Sequence, residues 1–174
     1  MRCLQFLVLV GVVCALASAS TLQHLTLKEM ALQSTDVVRG HVQRGKTAWH
    51  GSQIFTHYSV FVSDRWKGNG GQVMDLALAG GVLDGRRQTW AGTPDLVEGR
   101  EYVLFLWHSP SGLNLIIGLS QGLFAVDTAN SDALQASTSE PMVDGSGAVM
   151  TADPMRMSLA EMHNYVKQAI AEGR

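Results

Sequence analysis

The sequence predicts a mainly β domain, an antiparallel barrel or sandwich, with one helix before the strands and another after them. Between residues 38 and 126, apolar-rich segments form six or seven short strands at regular spacing, a pattern typical of antiparallel β proteins. Near both ends of the predicted domain, apolar residues instead recur at helical spacing behind a capping sequence, which is typical of amphipathic helices.

The first 19 residues predict a secretory signal peptide. A basic residue precedes an apolar run from Leu4 to Leu16, and Ala17-Ser18-Ala19 has the small-residue pattern of a cleavage site. We therefore expect cleavage after Ala19 and an exported protein, periplasmic or extracellular, with a single domain over residues 20–174. Both cysteines, Cys3 and Cys14, lie in the leader, so the predicted mature chain has neither a disulfide nor a thiol.

Composition and charge argue against two classes of partner. Charged residues make up only 16% of the chain, and without the leader 12 basic residues stand against 15 acidic ones. Because no run of lysine or arginine occurs, nucleic acid and anionic membrane are not expected partners. No later apolar run approaches the roughly 20 residues that cross a bilayer, so no membrane span is expected.

The predicted N-terminal helix begins with a capping box. The hydroxyl of Thr26 and the carboxylate of Glu29 have the spacing that satisfies free backbone N–H groups reciprocally. Leu25 and Met30 flank the box as a hydrophobic staple. This helix should end near residues 33–35 and cover an apolar surface.

The predicted C-terminal helix, residues 158–171, repeats the same device with Ser158 and Glu161 as the box and Met157 and Met162 as the staple. Its apolar side chains recur at helical spacing, which predicts an amphipathic helix packed on the domain. The residues of that face are Leu159, Met162, Val166, Ala169 and Ile170.

Between the helices the apolar period changes to two. The predicted strands are 38–43, 54–62, 73–78, 102–107, 113–117 and 123–126, with a weaker one around 82–89. Residues 102–107 are apolar throughout, so that strand should be buried on both faces, with Trp107 in the core. Residues 127–154, rich in Ala, Ser, Thr, Asp and Gly, are predicted to form a long surface connection.

Four segments, taken in order, carry a family resemblance. They are Ser34–Val42, which runs from a helix end into a D-x-x-x-G-x-V strand; Thr56–Val62, leading to Trp66-Lys67-Gly68; Glu98–Leu106; and Gln121–Val126. Together they resemble a large group of uncharacterised bacterial exported proteins that have a small OB-like barrel. That barrel is similar to the netrin-like module of the tissue inhibitors of metalloproteinases.

The resemblance covers roughly residues 25–126 and, less fully, the C-terminal helix, and what it implies is a fold. It predicts a small antiparallel OB-like or netrin-like barrel with an N-terminal cover helix and a C-terminal amphipathic helix. In the metalloproteinase inhibitors an N-terminal cysteine chelates the catalytic zinc. Here the predicted mature N-terminus is Ser20, so that mechanism cannot be carried over.

Two constellations suggest chemistry. Residues 118–122 match the G-x-S-x-G nucleophile elbow around Ser120, followed by Asp127 and His163 in the required order, but a strand rather than a helix is predicted to follow. A turn is therefore the expected role. Among six scattered histidines no compact ligand spacing occurs, so no metal or other cofactor is expected; His41 with His57 is the pair to test, with zinc first.

Four residues near predicted loops are the candidate binding residues: Trp49, Arg86, Arg87 and Trp90. Aromatic and arginine side chains on loops are the types that interfaces and sugar-binding surfaces use. Trp66 is a further tryptophan, and its place at a strand end could leave one face of its ring open.

The sequence therefore predicts a non-catalytic exported binding or accessory module that contacts an exported protein or a small ligand. Two alternatives stay open. One is an inhibitor or escort of an exported protease that does not use an N-terminal cysteine. The other is a small hydrolase, built on Ser120 or on a metal held by His41 and His57.

Overall fold

The structure, a computed structural model, describes residues 22–137, 141–150 and 153–173, and the predicted signal peptide lies outside them. The helices are α1 (Leu27–Gln33) and α2 (Leu159–Glu172). The strands are β1 (Leu22–Gln23), β2 (Asp36–His50), β3 (Gln53–Lys67), β4 (Val73–Ala79), β5 (Gly81–Leu83), β6 (Arg86–Gln88), β7 (Glu101–His108), β8 (Asn114–Ile116), β9 (Leu123–Asp127), β10 (Asp132–Gln135), β11 (Met142–Val143), β12 (Val149–Met150) and β13 (Arg156–Ser158).

One eight-stranded antiparallel sheet organises the molecule. Its strand order is β13-β10-β9-β7-β2-β3-β4, and β8 pairs with β7 beside β9. The β5–β6 hairpin and the small β1-β11-β12 sheet complete the β structure, with β1 and β11 parallel. The predicted fold class is confirmed: the protein is mainly β and antiparallel, with one helix near its start and one at its end.

No backbone ladder closes the large sheet within the described ranges. The edge strand β4 instead meets β8 through a side chain, because Asn114 Nδ2 donates to the carbonyl oxygen of Asp75 at 2.8 Å. The sheet therefore curls until β4 and β8 are neighbours. No helix among the residues the structure describes has the length and apolar character needed to cross a bilayer.

The long β2–β3 hairpin is the main departure from the predicted strand lengths. Each strand has 15 residues, because the pairing continues past residue 43 to His50 opposite Gln53. The register shifts at Val37/Val38, Arg39/Gly40 and Val42/Gly45, where extra residues are absorbed as bulges. Bulges bend and twist a hairpin, so these two strands curve with the sheet and then extend beyond its core.

The two faces of the sheet bury separate cores. On one face, α1 and α2 cover what we call the helix-covered core, which includes Met30, Phe105, Phe124 and Met162, all fully buried. The opposite face buries a second core, which includes Leu76, Leu104 and Leu106. Neighbouring residues of β7 belong to opposite cores, which confirms that residues 102–106 are buried on both faces.

Both predicted helix caps are present. Thr26 Oγ1 accepts from the Glu29 backbone N–H at 3.2 Å, and the Glu29 carboxylate accepts from the Thr26 N–H at 2.8 Å. Ser158 and Glu161 repeat the arrangement at α2. The last turn of α1 has no basic residue. There, the Lys67 ammonium donates to the carbonyls of Ala31 and Leu32. Each cap thereby satisfies backbone groups that the helix leaves free.

Two tryptophans lie opposite to their predicted environments. Trp66 is only 4% exposed, belongs to the helix-covered core and packs against His163 with ring centroids 5.1 Å apart. Trp107 is 42% exposed, although residues 101–106 of the same strand are buried. The predictions of an open Trp66 and a core Trp107 were therefore wrong, because the burial of each ring depends on tertiary packing, which the strand pattern does not contain.

The segment 127–154 also differs from the predicted surface connection. It contains β10, whose Ala133 is fully buried, and the short strands β11 and β12. Strand β10 pairs with β9 on one side and with β13 on the other. The small and polar residues of this segment do not show the apolar alternation of a strand, so β10 was not predicted. Its pairing with β9 and β13 stabilises it as a strand.

Candidate binding site

The β5–β6 hairpin carries two of the four candidate binding residues. Its two-residue turn is Asp84-Gly85, with φ values of 50° and 72°. Asp-Gly is a favoured pair for such a turn, because both positions need positive φ and the resulting twist matches that of paired strands. Arg86 and Arg87 follow directly and point to opposite faces of the hairpin.

Polar contacts fix this hairpin against the end of the β2–β3 hairpin. Thr47 Oγ1 donates to the Val82 carbonyl at 2.9 Å, and Thr56 Oγ1 donates to the Gly80 carbonyl at 2.9 Å. From the other strand, Gln88 Oε1 accepts from the Ile54 N–H at 2.6 Å. The β5–β6 hairpin is therefore held as a cap over residues 47–56.

A glycine makes this close approach possible. Gly81 has φ +139°, and a Cβ atom there would lie 2.6 Å from Thr47 Cγ2 and 2.8 Å from Thr56 Oγ1. Neither distance is tolerated by a real side chain. Position 81 therefore needs glycine for both its conformation and its contact with the β2–β3 surface.

Trp49 and Arg86 meet on one side of the hairpin. Trp49 was predicted to lie in a loop but stands in the last part of β2, where it is 39% exposed. Its Nε1 donates to Asp84 Oδ2 at 3.3 Å, and the Arg86 guanidinium lies 6.0 Å from the centre of its ring. The geometry is that of a cation–π contact at an exposed site.

Trp90 and Arg87 line a groove on the other side. The Thr93 N–H donates to the Trp90 carbonyl at 3.2 Å across a turn that contains Gly92 at φ 76°. This turn brings Trp90 and Thr93 to the groove. Trp90 is 45% exposed and lies in a loop, as predicted. We call this the hairpin groove, and its volume is about 250 Å³. Its walls are residues 56, 58, 78–82, 87–90 and 93–95.

Several hydrogen-bonding groups of the hairpin groove have no protein partner among the residues described. Thr93 Oγ1 is buried and makes no hydrogen bond. Arg87 and Asp95 both line the groove, yet neither takes part in an ion pair or side-chain hydrogen bond within the described ranges. Burial raises the pKa of Tyr58, and the nearby Asp95 charge and Tyr102 phenol add to that effect. The Tyr58 hydroxyl therefore stays protonated and available as a donor.

A second groove shares the loop from Trp90 to Pro94. It has a volume of about 190 Å³ and is mostly apolar, and it lies between β4 and β8 where the sheet does not close. We call it the edge groove. Its walls are Gln53, Phe55, Ala77, Leu78, Ala79, Trp90, Thr93, Pro94, Leu115, Ile116 and Leu119.

The structure does not bring His41 and His57 together. His41 pairs with Phe61, which is four residues from His57 along β3, or about 13 Å at roughly 3.3 Å per residue. His57 Nδ1 instead bonds Asp75 Oδ2 at 2.8 Å. Within the described ranges, no group of three or more His, Cys, Asp and Glu side chains has the geometry of a metal site. This pair is therefore not a joint metal site, because strand register separates the two rings.

His41 lies beside a partly buried ion pair, in which Glu101 is buried and Arg39 is about one third exposed. Arg39 donates twice to the Glu101 carboxylate, at 2.9 and 2.8 Å, and Ser63 Oγ donates to it at 3.1 Å. Burial by itself would raise the pKa of Glu101, but the bonds and charge of Arg39 and the Ser63 bond outweigh it, so the pKa lies below its ordinary value. The cluster joins β2, β3 and β7.

Ser120 does not occupy a nucleophile elbow. It is 2% exposed, and its Oγ has no hydrogen-bond partner in the ranges that the structure describes. The candidate triad partners are elsewhere: Asp127 bonds Asn130, and His163 packs on Trp66. A strand follows the loop, as predicted.

The loop of Ser120 differs from the predicted hairpin turn, because β8 and β9 pair with the same edge of β7 rather than with each other. Phe105 spans the base of the loop. The Ile117 N–H donates to its carbonyl at 3.0 Å, and its own N–H donates to the Gly122 carbonyl at 2.9 Å. The loop therefore interrupts what would otherwise be one continuous strand, β8 and β9, along β7.

Three groove residues were not among the sequence candidates: Tyr58, Thr93 and Asp95. The alternation of β3 indicates only that Tyr58 faces the second core. Asp95 has no second carboxylate at a spacing that indicates acid–base chemistry. The Asp84-Gly85 pair was the one local feature that could have located the hairpin in advance.

No protein-family model matches the chain, and no curated protein matches it. The likeness to netrin-like modules therefore stays a prediction.

Proposed function

We propose that this protein is a non-catalytic exported binding module that holds its partner or ligand at the β5–β6 hairpin. The observation that carries the proposal is convergence. Trp49 on β2 meets residues 86–90, the one stretch that carries Arg86, Arg87 and Trp90, and the hairpin groove opens beside them. Tryptophan and arginine are the residue types that dominate binding energy at interfaces.

The rigidity of the support favours binding at this place. The hairpin is fixed by side-chain hydrogen bonds from β2 and β3 and by the close contact at Gly81. Exposed aromatic rings on a fixed frame lose little conformational freedom when a partner is bound. The site thus combines exposed anchors with a scaffold that needs no rearrangement.

Affinity capture from the native envelope fraction tests the proposal. The protein, expressed from its full 174-residue sequence, is compared with Trp49→Ala, Trp90→Ala and the control Tyr165→Ala. Tyr165 is 43% exposed on α2, close to the 45% of Trp90, but lines neither groove. We expect a partner that is retained by the control and lost by a tryptophan variant.

Retention of every captured species by both tryptophan variants, with no small ligand lost from them in native mass spectrometry, would contradict the proposal. A captured protease would support the inhibitor or escort form of it. Turnover of a substrate that is abolished by Ser120→Ala or His57→Ala would favour the hydrolase alternative instead.

A further inference from the structure

The hairpin groove contains opposite charges that do not neutralise each other. Arg87 and Asp95 both line it, and no ion pair joins them or engages either one within the described ranges. An unpaired cation and anion on one groove wall are open to a ligand that both donates and accepts hydrogen bonds. They disfavour a ligand of strong single charge, because either sign would meet a like charge.

Uncharged groups in the groove add to this demand for hydrogen bonds. Tyr58 lines the groove, and its hydroxyl makes no hydrogen bond among the residues described. A hydroxyl that faces the groove without a protein partner can exchange water for a hydrogen bond to a ligand. Gln88 and Thr56, in contrast, already use their side chains to hold the hairpin.

Trp90 supplies an exposed aromatic surface at the same groove. Aromatic rings pack against apolar faces, so the groove offers both a flat apolar surface and a set of donors and acceptors. Its volume of about 250 Å³ is below the roughly 300–1,000 Å³ of pockets for drug-sized ligands, and it suits a single ring.

We propose that the hairpin groove binds one ring of a neutral saccharide. A pyranose has a face of C–H groups for Trp90 and hydroxyls that both donate and accept, so it can satisfy Asp95, Arg87 and Tyr58 together. An apolar ring would leave those groups desolvated without partners. This inference rests on the proposed function and names the ligand class for its groove.

Isothermal titration calorimetry with defined sugars tests the inference. The probes are the methyl glycosides of glucose, galactose, mannose and N-acetylglucosamine. Comparison probes are glucose 6-phosphate, glucosamine and alanine, which carry an anion, a cation and both charges. We expect saturable binding of at least one neutral glycoside and weaker binding of every comparison probe.

Three groove variants and one control locate the binding. Trp90→Ala and Asp95→Asn should each raise the dissociation constant at least tenfold, and the control Tyr165→Ala should leave it unchanged. Tyr58→Phe, which preserves the ring and removes only the hydroxyl, should also raise it without lowering the melting temperature. Tyr58→Phe keeps the test valid even where Trp90→Ala loosens the loop.

The outcomes separate this inference from the proposed function. If no neutral glycoside binds, or if a charged probe binds more tightly, the saccharide inference is overturned, while a protein partner lost on Trp90→Ala would leave the proposed function standing. Glycoside binding that all three groove variants retain would also overturn it.

Discussion

The helix-covered core and the hairpin groove are built on the same sheet but closed by different means. Over the helix-covered core, two capped helices place large apolar side chains until Met30, Phe105 and Phe124 are fully buried. At the hairpin groove, a short hairpin is held by hydroxyl, amide and glycine contacts, and Trp90 stays 45% exposed. The helices fill the space over the helix-covered core with apolar side chains, whereas the β5–β6 hairpin leaves the hairpin groove open.

The comparison supports the proposal that binding belongs to the less filled region. Apolar packing removes surface and leaves no group free to bind a ligand. A hairpin fixed by hydrogen bonds needs few side chains for its own support, so Arg87, Thr93 and Asp95 remain without protein partners in the part of the chain the structure describes. Stability and binding are thereby assigned to different residues.

The two tryptophans Trp66 and Trp90 give the largest expected contrast. Trp66→Ala should lower the free energy of unfolding by about 3–5 kcal/mol, because it leaves a cavity in the helix-covered core. Trp90→Ala should lower it by about 1 kcal/mol or less, since its ring is half exposed. Urea unfolding monitored by circular dichroism measures both, and equal losses would contradict the division between the two regions.

The Glu101 ion pair should come next in size. Glu101 is 6% exposed but lies outside the helix-covered core, so Glu101→Gln tests whether a polar cluster stabilises the sheet as packing does. Loss of its charge-assisted bonds to Arg39 should cost about 1.5–3 kcal/mol near neutral pH. Urea unfolding at pH 7 measures it, and a loss below about 0.5 kcal/mol would contradict this role.

The same variant should change the pH dependence. Because folding lowers the pKa of Glu101, its contribution is complete above the ordinary value of 4.5 and is lost as the pH falls through the lowered value. The difference between wild type and Glu101→Gln should therefore shrink in acid. A difference that is constant from pH 7 to pH 2 would show that another group is responsible.

At the hairpin, Gly81→Ala should have a smaller but specific effect. The new Cβ would collide with Thr47 and Thr56 and would hold a positive φ, so we expect a loss of about 1–2 kcal/mol together with weakened binding at the hairpin groove. Gly145→Ala is the matched control, because a Cβ there meets nothing within 4 Å. If both variants behave alike in melting and binding, the close approach at Gly81 is not important.

Ser120→Ala should have the smallest effect of the series. It removes a buried hydroxyl that has no hydrogen-bond partner, so the free energy of unfolding should be unchanged or should rise by up to about 0.5 kcal/mol. The measurement is a thermal melt beside the wild type. A loss above 1 kcal/mol would mean that the hydroxyl has a structural partner.

Local pattern predicted the helices well because their evidence is local. The capping boxes at Thr26 and Ser158 need only residues three positions apart, and the structure has both. Most strands were located in the same way, but β10 was missed because its order comes from pairing with β9 and β13. Trp66 and Trp107 were misplaced because tertiary packing decides their burial.

For the candidate site, residue type indicated Trp49, Arg86, Arg87 and Trp90. In the structure Arg86 lies over Trp49, and Arg87 and Trp90 line the hairpin groove. Their convergence depends on the long β2–β3 hairpin and on the cap that β5 and β6 form over it. Tyr58, Thr93 and Asp95 join the groove only through that arrangement. No spacing along the chain encodes it.

The sequence by itself determined the mainly β class, the two capped helices and the residue types available for binding, because propensity, capping and alternation act over a few residues. Tertiary structure alone decided which faces the helices cover, how far the sheet curls, and that Arg87, Asp95 and Thr93 share one groove. These features depend on contacts between residues far apart in the chain. Strand register and β-bulges determine which of those residues come into contact.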